Sequence, residues 1–215
     1  MDIHAVISVL RSINPTLETP SVGVIHQRWR DPFRTLISCI LSLRTQDKTT
    51  RTASMRLFEL ADTPLKMIGL HEETIRDAIY PVGFYRRKAI VIREVSRDLI
   101  DRFAGRVPDT LEELLSLNGV GRKTANLVLT VAYNKPGICV DTHVHRITNR
   151  WGLVNTKTPE QTEMALREKL PPEYWIEFND LLVPFGQNIC MPISPFCSIC
   201  PLYDHCLRVG VKKSR

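Results

Sequence analysis

The features that would place a chain in a membrane or a secretory pathway are missing from this sequence of 215 residues. It has no apolar run long enough to span a bilayer. Its first residues, MDIHAVISVLRSIN, include an early acidic residue and show no signal-peptide cleavage pattern. We therefore expect a cytoplasmic protein without a membrane partner, whose six cysteines are thiols or metal ligands rather than disulfides.

Strict alternation of apolar and polar residues, which indicates a half-buried strand, is also missing, as are internal repeats, low-complexity segments and long linkers. The periodic stretches are helical instead, since apolar residues over 85–103 recur at steps of three and four. Helix start signals occur as TLEE at 110–113, a capping box, and as TPEQ at 158–161, with proline at the first helical position. The patterns predict an all-α protein of about ten short helices.

Basic residues exceed acidic residues by a small margin. Lys and Arg number 29 against 23 Asp and Glu, so the formal charge is +6, and the apolar share of 43% is ordinary for a globular protein. The length is sufficient for one large domain or two small ones. The charge permits a polyanionic partner without requiring one.

The segment LNGVGRKTANLVL at 117–129 contains a turn built from Gly119, Val120 and Gly121. A short helix leads into the turn, and a second helix begins near Arg122. The glycines let the backbone approach another molecule closely, and the amides and dipole of the second helix favour an anion. The hairpin can therefore grip a phosphate without reading a base. The alternative is an ordinary corner between two helices.

Lys123 opens the apolar run of that second helix and could have either of two roles. It could be a further phosphate contact beside Arg122. It could also be a nucleophile, because a neutral amine attacks a sugar C1′ and forms a Schiff base. The helix N-terminus and Arg122 both disfavour an additional positive charge, which favours the second role, but spacing alone leaves both open.

A second candidate site lies in ICVDTHVHRITNR at 138–150. Asp141 precedes a helical pattern, so it is expected to be an N-cap. A capping carboxylate can also stabilise positive charge on a sugar or transfer a proton. His143 and His145 face different sides of a helix, which favours solvent or phosphate contacts over a shared metal.

Four cysteines near the end of the sequence show the most specific spacing. The pattern C-x6-C-x2-C-x5-C comprises Cys190, Cys197, Cys200 and Cys206, called here the tail cysteines. Four thiols this close together suit one tetrahedral zinc or one iron–sulfur cluster, and the chemistry of the residues leaves both open. The other two cysteines, Cys39 and Cys139, lie in apolar segments and are predicted to be buried.

Together, the hairpin LNGVGRKTA, the VDTH that follows it and the spacing of the tail cysteines resemble the endonuclease III family of DNA glycosylases, in the helix-hairpin-helix–Gly/Pro–Asp superfamily. The resemblance covers almost the whole chain. It implies an enzyme that flips a damaged pyrimidine out of the duplex, excises it and cleaves the strand 3′ to the abasic site by β-elimination. The implied partner is double-stranded DNA with damaged bases or abasic sites, bound by a monomer that is nucleoid-associated in a bacterium or archaeon.

The resemblance also implies an architecture and a set of site residues. A helical-barrel domain over 24–134 would contain the hairpin, and residues 1–23 plus 135–215 would form a second helical domain, with the active site in the cleft between the two. The tail cysteines would hold a [4Fe–4S] cluster. Lys123 matches the catalytic lysine of the family, and Asp141 its catalytic aspartate.

Two loops match segments with which the family opens the duplex. LSLRTQD at 41–47 has Arg44 where relatives insert a side chain, often glutamine, into the gap left by the flipped base. VGFYRRKA at 82–89 has Phe84 where an aliphatic wedge is frequent. A phenylalanine in this position can stack in an opened duplex.

Three basic residues follow the wedge position, namely Arg86, Arg87 and Lys88, and the resemblance implies that they lie near phosphates. The alternative is the solvated start of a helix. The loop between the first two tail cysteines departs from the family, because MPISPF at 191–196 has no Lys or Arg where many relatives are basic. A DNA-gripping role for that loop is therefore in doubt.

The first alternative to the endonuclease III type is a mismatch-type or adenine-type glycosylase of the same superfamily. Adenine-type glycosylases of the superfamily usually have a catalytic glutamate where Cys39 stands, lack the lysine and carry an additional C-terminal domain, and this sequence has none of these features. A non-catalytic DNA-binding or zinc-structural protein is the other class, and a DNA-nicking assay separates it from both glycosylases. The sequence therefore predicts a bifunctional glycosylase and AP lyase for oxidised pyrimidines.

Overall fold

The computed structural model describes residues 1–17 and 19–215, and over these residues it is helical with no β-strand. This confirms the predicted all-α fold, with somewhat more helices than expected. The α-helices are α1 (Ile3–Ile13), α2 (Ser21–Trp29), α3 (Pro32–Ser42), α4 (Asp47–Leu60), α5 (Pro64–Gly69), α6 (Glu72–Ile79), α7 (Tyr85–Phe103), α8 (Leu111–Leu115), α9 (Arg122–Tyr133), α10 (Thr142–Trp151), α11 (Pro159–Lys169) and α12 (Phe178–Asn188). None of the described helices is long and apolar enough to cross a membrane.

The chain forms two compact units, one made of Met1–Pro20 with Pro136–Arg215 and the other of Ser21–Lys135. The domain bounds implied by the resemblance, 24–134 and 1–23 plus 135–215, stay a prediction, because compact packing does not by itself demonstrate independent folding.

Helix α3 is the central element of the unit Ser21–Lys135, where α2, α4, α7 and α9 pack against it. In its sequence, PFRTLISCILS, every residue from Phe33 to Leu41 except Arg34 is buried, as expected for a helix surrounded by others. Asp31 caps its N-terminus by accepting a hydrogen bond from the amide of Arg34 at 2.7 Å. The predicted stripe of α7 also packs inward, with its four aliphatic members fully buried: Ala89, Ile92, Val95 and Leu99.

In the other unit, α12 packs against α1 and α10, and α10 packs against α11. Its core contains large apolar side chains from all four helices, including Leu10, Ile147, Leu166 and Phe178. Three of the tail cysteines pack against this core: Cys190, Cys200 and Cys206. The cysteine segment is therefore attached to the hydrophobic core of this unit.

Both predicted helix start signals are observed. The hydroxyl of Thr110 accepts from the amide of Glu113 at 3.3 Å and donates to the Glu113 carboxylate at 2.7 Å. Thr158 likewise accepts from the amide of Gln161 at 3.3 Å, with Pro159 in the first turn of α11. These caps satisfy amides that have no partner within their own helices.

Candidate active site

Helices α8 and α9 form the predicted hairpin, and its turn depends on a glycine packed against α7. Gly119 has φ +78°, in the left-handed region. A Cβ atom at this position would lie 2.5 Å from Cγ1 of Val91. The Val120 side chain is buried, so the turn packs against the unit Ser21–Lys135 through Gly119 and Val120.

The other glycine of the turn faces open space. Gly121 is the N-cap of α9, and a Cβ atom added to it would meet nothing within 4 Å. Glycine offers no side chain to accept hydrogen bonds from the first amides of the helix. An anion that approaches Gly121 would meet the first turn of α9 and the positive end of its dipole.

Polar contacts to α7 hold the hairpin in place. The Asn118 side-chain amide donates to the Glu94 carboxylate at 2.7 Å. The guanidinium of Arg102 donates to the carbonyl and hydroxyl of Ser116 at 3.3 and 2.6 Å. The turn is thus supported by a long helix.

Lys123 is half-buried in the first turn of α9, and its charge acts on two buried neighbours, Cys39 and Lys88. Burial raises the pKa of the Cys39 thiol to about 12, although the charge of Lys123 opposes that rise. Burial, together with the charge of Lys123, lowers the pKa of Lys88 to about 8. Cys39 is therefore an inert neutral thiol, consistent with its prediction as a buried apolar residue.

The prediction that Lys88 lies near phosphates is wrong. The residue is only 6% exposed, and its ammonium points into the protein. It donates to the carbonyls of Leu41 and Leu43 at 2.7 and 2.6 Å and to the Thr45 hydroxyl at 3.1 Å. All three donors of the ammonium are used, so it has no proton to offer a phosphate. Arg86 and Arg87 on the same turn are exposed, as predicted for solvent or phosphate contacts.

The two loops predicted to enter DNA lie side by side in the structure. The Arg44 guanidinium carbon lies 5.6 Å from the ring centroid of Phe84, in a cation–π arrangement. Both residues have positive φ, +51° and +59°, and Phe84 is 63% exposed. The sequence carried no signal that the loops are neighbours, and it also gave no indication of the role of Thr45 between them.

Asp141 caps α10 as predicted. Its Oδ1 atom accepts from the amides of His143 and Val144 at 2.8 and 2.9 Å. Both of these capping bonds use one oxygen, so Oδ2 takes no part in them. His145 differs from its prediction as a solvent or phosphate contact, because its ring is within 2.6 Å of the Thr162 hydroxyl in a partly buried position.

Helix α10 also contacts the segment that holds the tail cysteines. Arg146 donates to the carbonyls of Gly186 and Cys190 at 3.0 and 2.9 Å. Arg150 donates to the carbonyls of Met191 and Pro192 at 2.6 and 2.7 Å. The second half of the helix capped by Asp141 is therefore hydrogen-bonded to the cysteine segment.

The tail cysteines line one small pocket, together with aromatic and basic side chains. An Arg150 nitrogen lies 3.4 Å from the Cys190 sulfur, and the Arg208 amide donates to the Cys206 sulfur at 3.3 Å. Within residues 1–17 and 19–215, no three His, Cys, Asp or Glu side chains converge on a single metal position. The thiols are thus gathered around one space without meeting at one point.

Comparison with known proteins agrees with this geometry. Residues 37–172 match the HhH-GPD superfamily of base excision DNA repair proteins. The chain is 53% identical over 176 residues to endonuclease III of Thermotoga maritima, covering 82% of this chain and 83% of that protein. It is 43% identical over 217 residues to the chloroplastic endonuclease III homolog 2 of Arabidopsis thaliana, covering 94% of this chain and 56% of that longer protein.

A solved structure shows the same relationship. A trapped endonuclease III–DNA covalent intermediate, an estranged-adenine complex, aligns with a TM-score of 0.86 and 35% identity, covering 95% of this chain and 93% of that one. The chain therefore belongs to the HhH-GPD superfamily of base excision DNA repair proteins and, within it, to the endonuclease III family.

Proposed function

We propose that this base excision repair glycosylase and AP lyase acts on damaged pyrimidines through Lys123 as its nucleophile. The observation that carries the proposal is the position of Lys123 in the first turn of α9, next to the open N-cap at Gly121. A DNA phosphate held at the N-terminus of α9 would bring a neighbouring sugar near the Lys123 amine. The trapped covalent intermediate of the related endonuclease III supports a covalent reaction.

In the proposed reaction, the neutral amine of Lys123 attacks C1′ of the flipped nucleotide. The glycosidic bond breaks, and the damaged base leaves with its bonding electrons and takes up a proton. Loss of the amine proton and opening of the sugar ring give a Schiff base. Removal of a C2′ proton then expels the 3′ phosphate by β-elimination, and water hydrolyses the Schiff base to release the enzyme.

Asp141 is proposed to stabilise positive charge and to accept a proton during this reaction. Glycosidic cleavage builds positive charge on the sugar, and the attacking amine must lose a proton. A carboxylate can meet both requirements. Since the capping bonds of α10 use Oδ1 alone, Oδ2 can act without loss of the cap.

The partner is proposed to be double-stranded DNA with damaged bases or abasic sites, gripped through the backbone of Gly119, Val120 and Gly121. Arg122, the exposed Arg86 and Arg87, and His143 are proposed phosphate contacts, each on or next to a helix start. Arg44 and Phe84 are proposed to enter the opened duplex. Lys88 is excluded from the contacts because its ammonium is buried.

The tail cysteines are proposed to hold a [4Fe–4S] cluster. The fit rests on four thiols lining one cavity with N–H donors directed at two of the sulfurs. In such a cluster each iron binds one thiolate, whereas a single zinc draws all four thiolates to one point. The similarity of the cysteine spacing to that of the endonuclease III family favours the cluster over zinc. The cluster would link the segment of the tail cysteines covalently. The proposed bond changes of excision use Lys123 and Asp141.

The test is borohydride trapping on a duplex with a single abasic site. The wild-type protein should form a stable protein–DNA adduct, and Lys123→Gln should not. Lys66→Gln is the matched control, because Lys66 lies on the surface of the same unit in an ion pair with Asp62 and should trap as the wild type does. Normal trapping by Lys123→Gln would show that another amine is the nucleophile.

A further inference from the structure

The buried ammonium of Lys88 lies between the two loops proposed to enter DNA. Its acceptors Leu41 and Leu43 are at the C-terminal end of α3, where backbone carbonyls have no partner within the helix. Lys88 itself lies in the first turn of α7, directly after the loop that contains Phe84. The side chain therefore connects the end of one helix to the start of another.

Thr45 makes the second connection between the loops. Its hydroxyl accepts from the Gly83 amide and from the Lys88 ammonium, both at 3.1 Å, and donates to the Leu43 carbonyl at 3.2 Å. The Gly83 backbone also lies so close to the Arg44 carbonyl that any Cβ atom there would collide with it. The loops are thus joined by hydrogen bonds and by direct backbone packing.

The joined loops present one exposed tip, Arg44 over Phe84, with both residues in the left-handed region. Such backbone conformations cost free energy and persist where the surrounding structure holds them. Here the surroundings are Lys88, Thr45 and Gly83, which we call the loop clamp. Without it, each loop could relax away from its conformation.

We propose that the loop clamp holds both DNA-opening loops as one preformed element, with Lys88 as a positioning residue that touches no DNA. This rests on the proposed function, since it assumes that Arg44 and Phe84 enter the opened duplex. A preformed tip lowers the entropy that binding must remove, because two side chains are already ordered in the free protein. The resulting gain in affinity should appear only for DNA whose duplex can be opened.

The experiment compares Lys88→Met with the wild-type protein in binding two otherwise identical duplexes, one undamaged and one with a tetrahydrofuran abasic analogue. Fluorescence anisotropy gives the dissociation constant for each duplex. The ratio of interest is the constant for undamaged DNA divided by the constant for the abasic analogue. In Lys88→Met this ratio should fall by about 5- to 150-fold, the cost of ordering two side chains on binding. Affinity for undamaged DNA should stay within about twofold, because phosphate contacts are intact.

A matched pair at Thr45 keeps the test informative if Lys88→Met does not fold. Thr45→Ser keeps the hydroxyl and should keep the wild-type ratio, whereas the nearly isosteric Thr45→Val removes it and should lower the ratio. A purely structural role predicts lower melting temperatures with the ratio unchanged, and that result in a folded Thr45→Val would overturn the clamp. The proposed function fails separately, if the wild-type protein neither forms the borohydride adduct nor prefers the abasic analogue.

Discussion

The two glycines of the hairpin should respond to the same substitution in opposite ways. At Gly119, alanine would adopt φ +78° and place its methyl 2.5 Å from Cγ1 of Val91. The left-handed conformation costs about 1–2 kcal/mol, and overpacking against a buried β-branched side chain adds about 1–3 kcal/mol. Gly119→Ala should therefore lose about 2–5 kcal/mol of unfolding free energy, which lowers the melting temperature by roughly 5–15 °C in a chain of this size.

At Gly121 the same methyl group meets nothing within 4 Å, and φ is −93°. Gly121→Ala should therefore change the unfolding free energy by less than about 1 kcal/mol. A phosphate that approaches the N-cap of α9 would instead meet the added methyl group. Losing one charge-assisted hydrogen bond to a phosphate costs about 1.5–3 kcal/mol, so affinity for abasic-analogue DNA should fall by roughly 10- to 150-fold.

Calorimetric melting and anisotropy titrations at one fixed salt concentration measure both quantities for both variants. The reasoning about the packed glycine fails if Gly119→Ala melts with the wild-type protein. The assignment of the anion site fails if Gly121→Ala, melting normally, binds the abasic-analogue duplex with wild-type affinity. The two substitutions add the same methyl group, so their difference reports only where each glycine lies.

Two further predictions concern Asp141 and the tail cysteines. Asp141→Asn keeps an acceptor for the amides of His143 and Val144, so its melting temperature should change little while single-turnover excision falls by roughly 10²–10⁴-fold. Asp141→Ala should additionally lose about 1 kcal/mol of stability. Normal excision by Asp141→Asn would contradict a catalytic role for Asp141. Anaerobically prepared protein should be brown and contain iron and acid-labile sulfide. Substitution of the tail cysteines should remove the iron and sulfide, whereas substitution of Cys39 should leave them in place. Stoichiometric zinc without iron would contradict the cluster.

Local sequence was sufficient for the parts of the candidate site that lie within one short stretch. The hairpin glycines, the Asp141 cap and the spacing of the tail cysteines each occupy fewer than about 20 consecutive residues, and caps and turns are decided by neighbouring backbone groups. The all-α fold followed for the same reason, since the apolar period of a helix is visible within a single segment.

The tertiary structure decided which of these residues face inward. Arg86, Arg87 and Lys88 are equivalent basic residues in the sequence, and only the carbonyl groups at the end of α3, more than forty positions away, give the third a buried set of acceptors. Packing of Val91 against the hairpin likewise distinguishes Gly119 from Gly121. Such choices depend on contacts between residues distant in the chain. The burial that turns Lys88 from a candidate DNA contact into an internal support therefore exists only once the helices have packed.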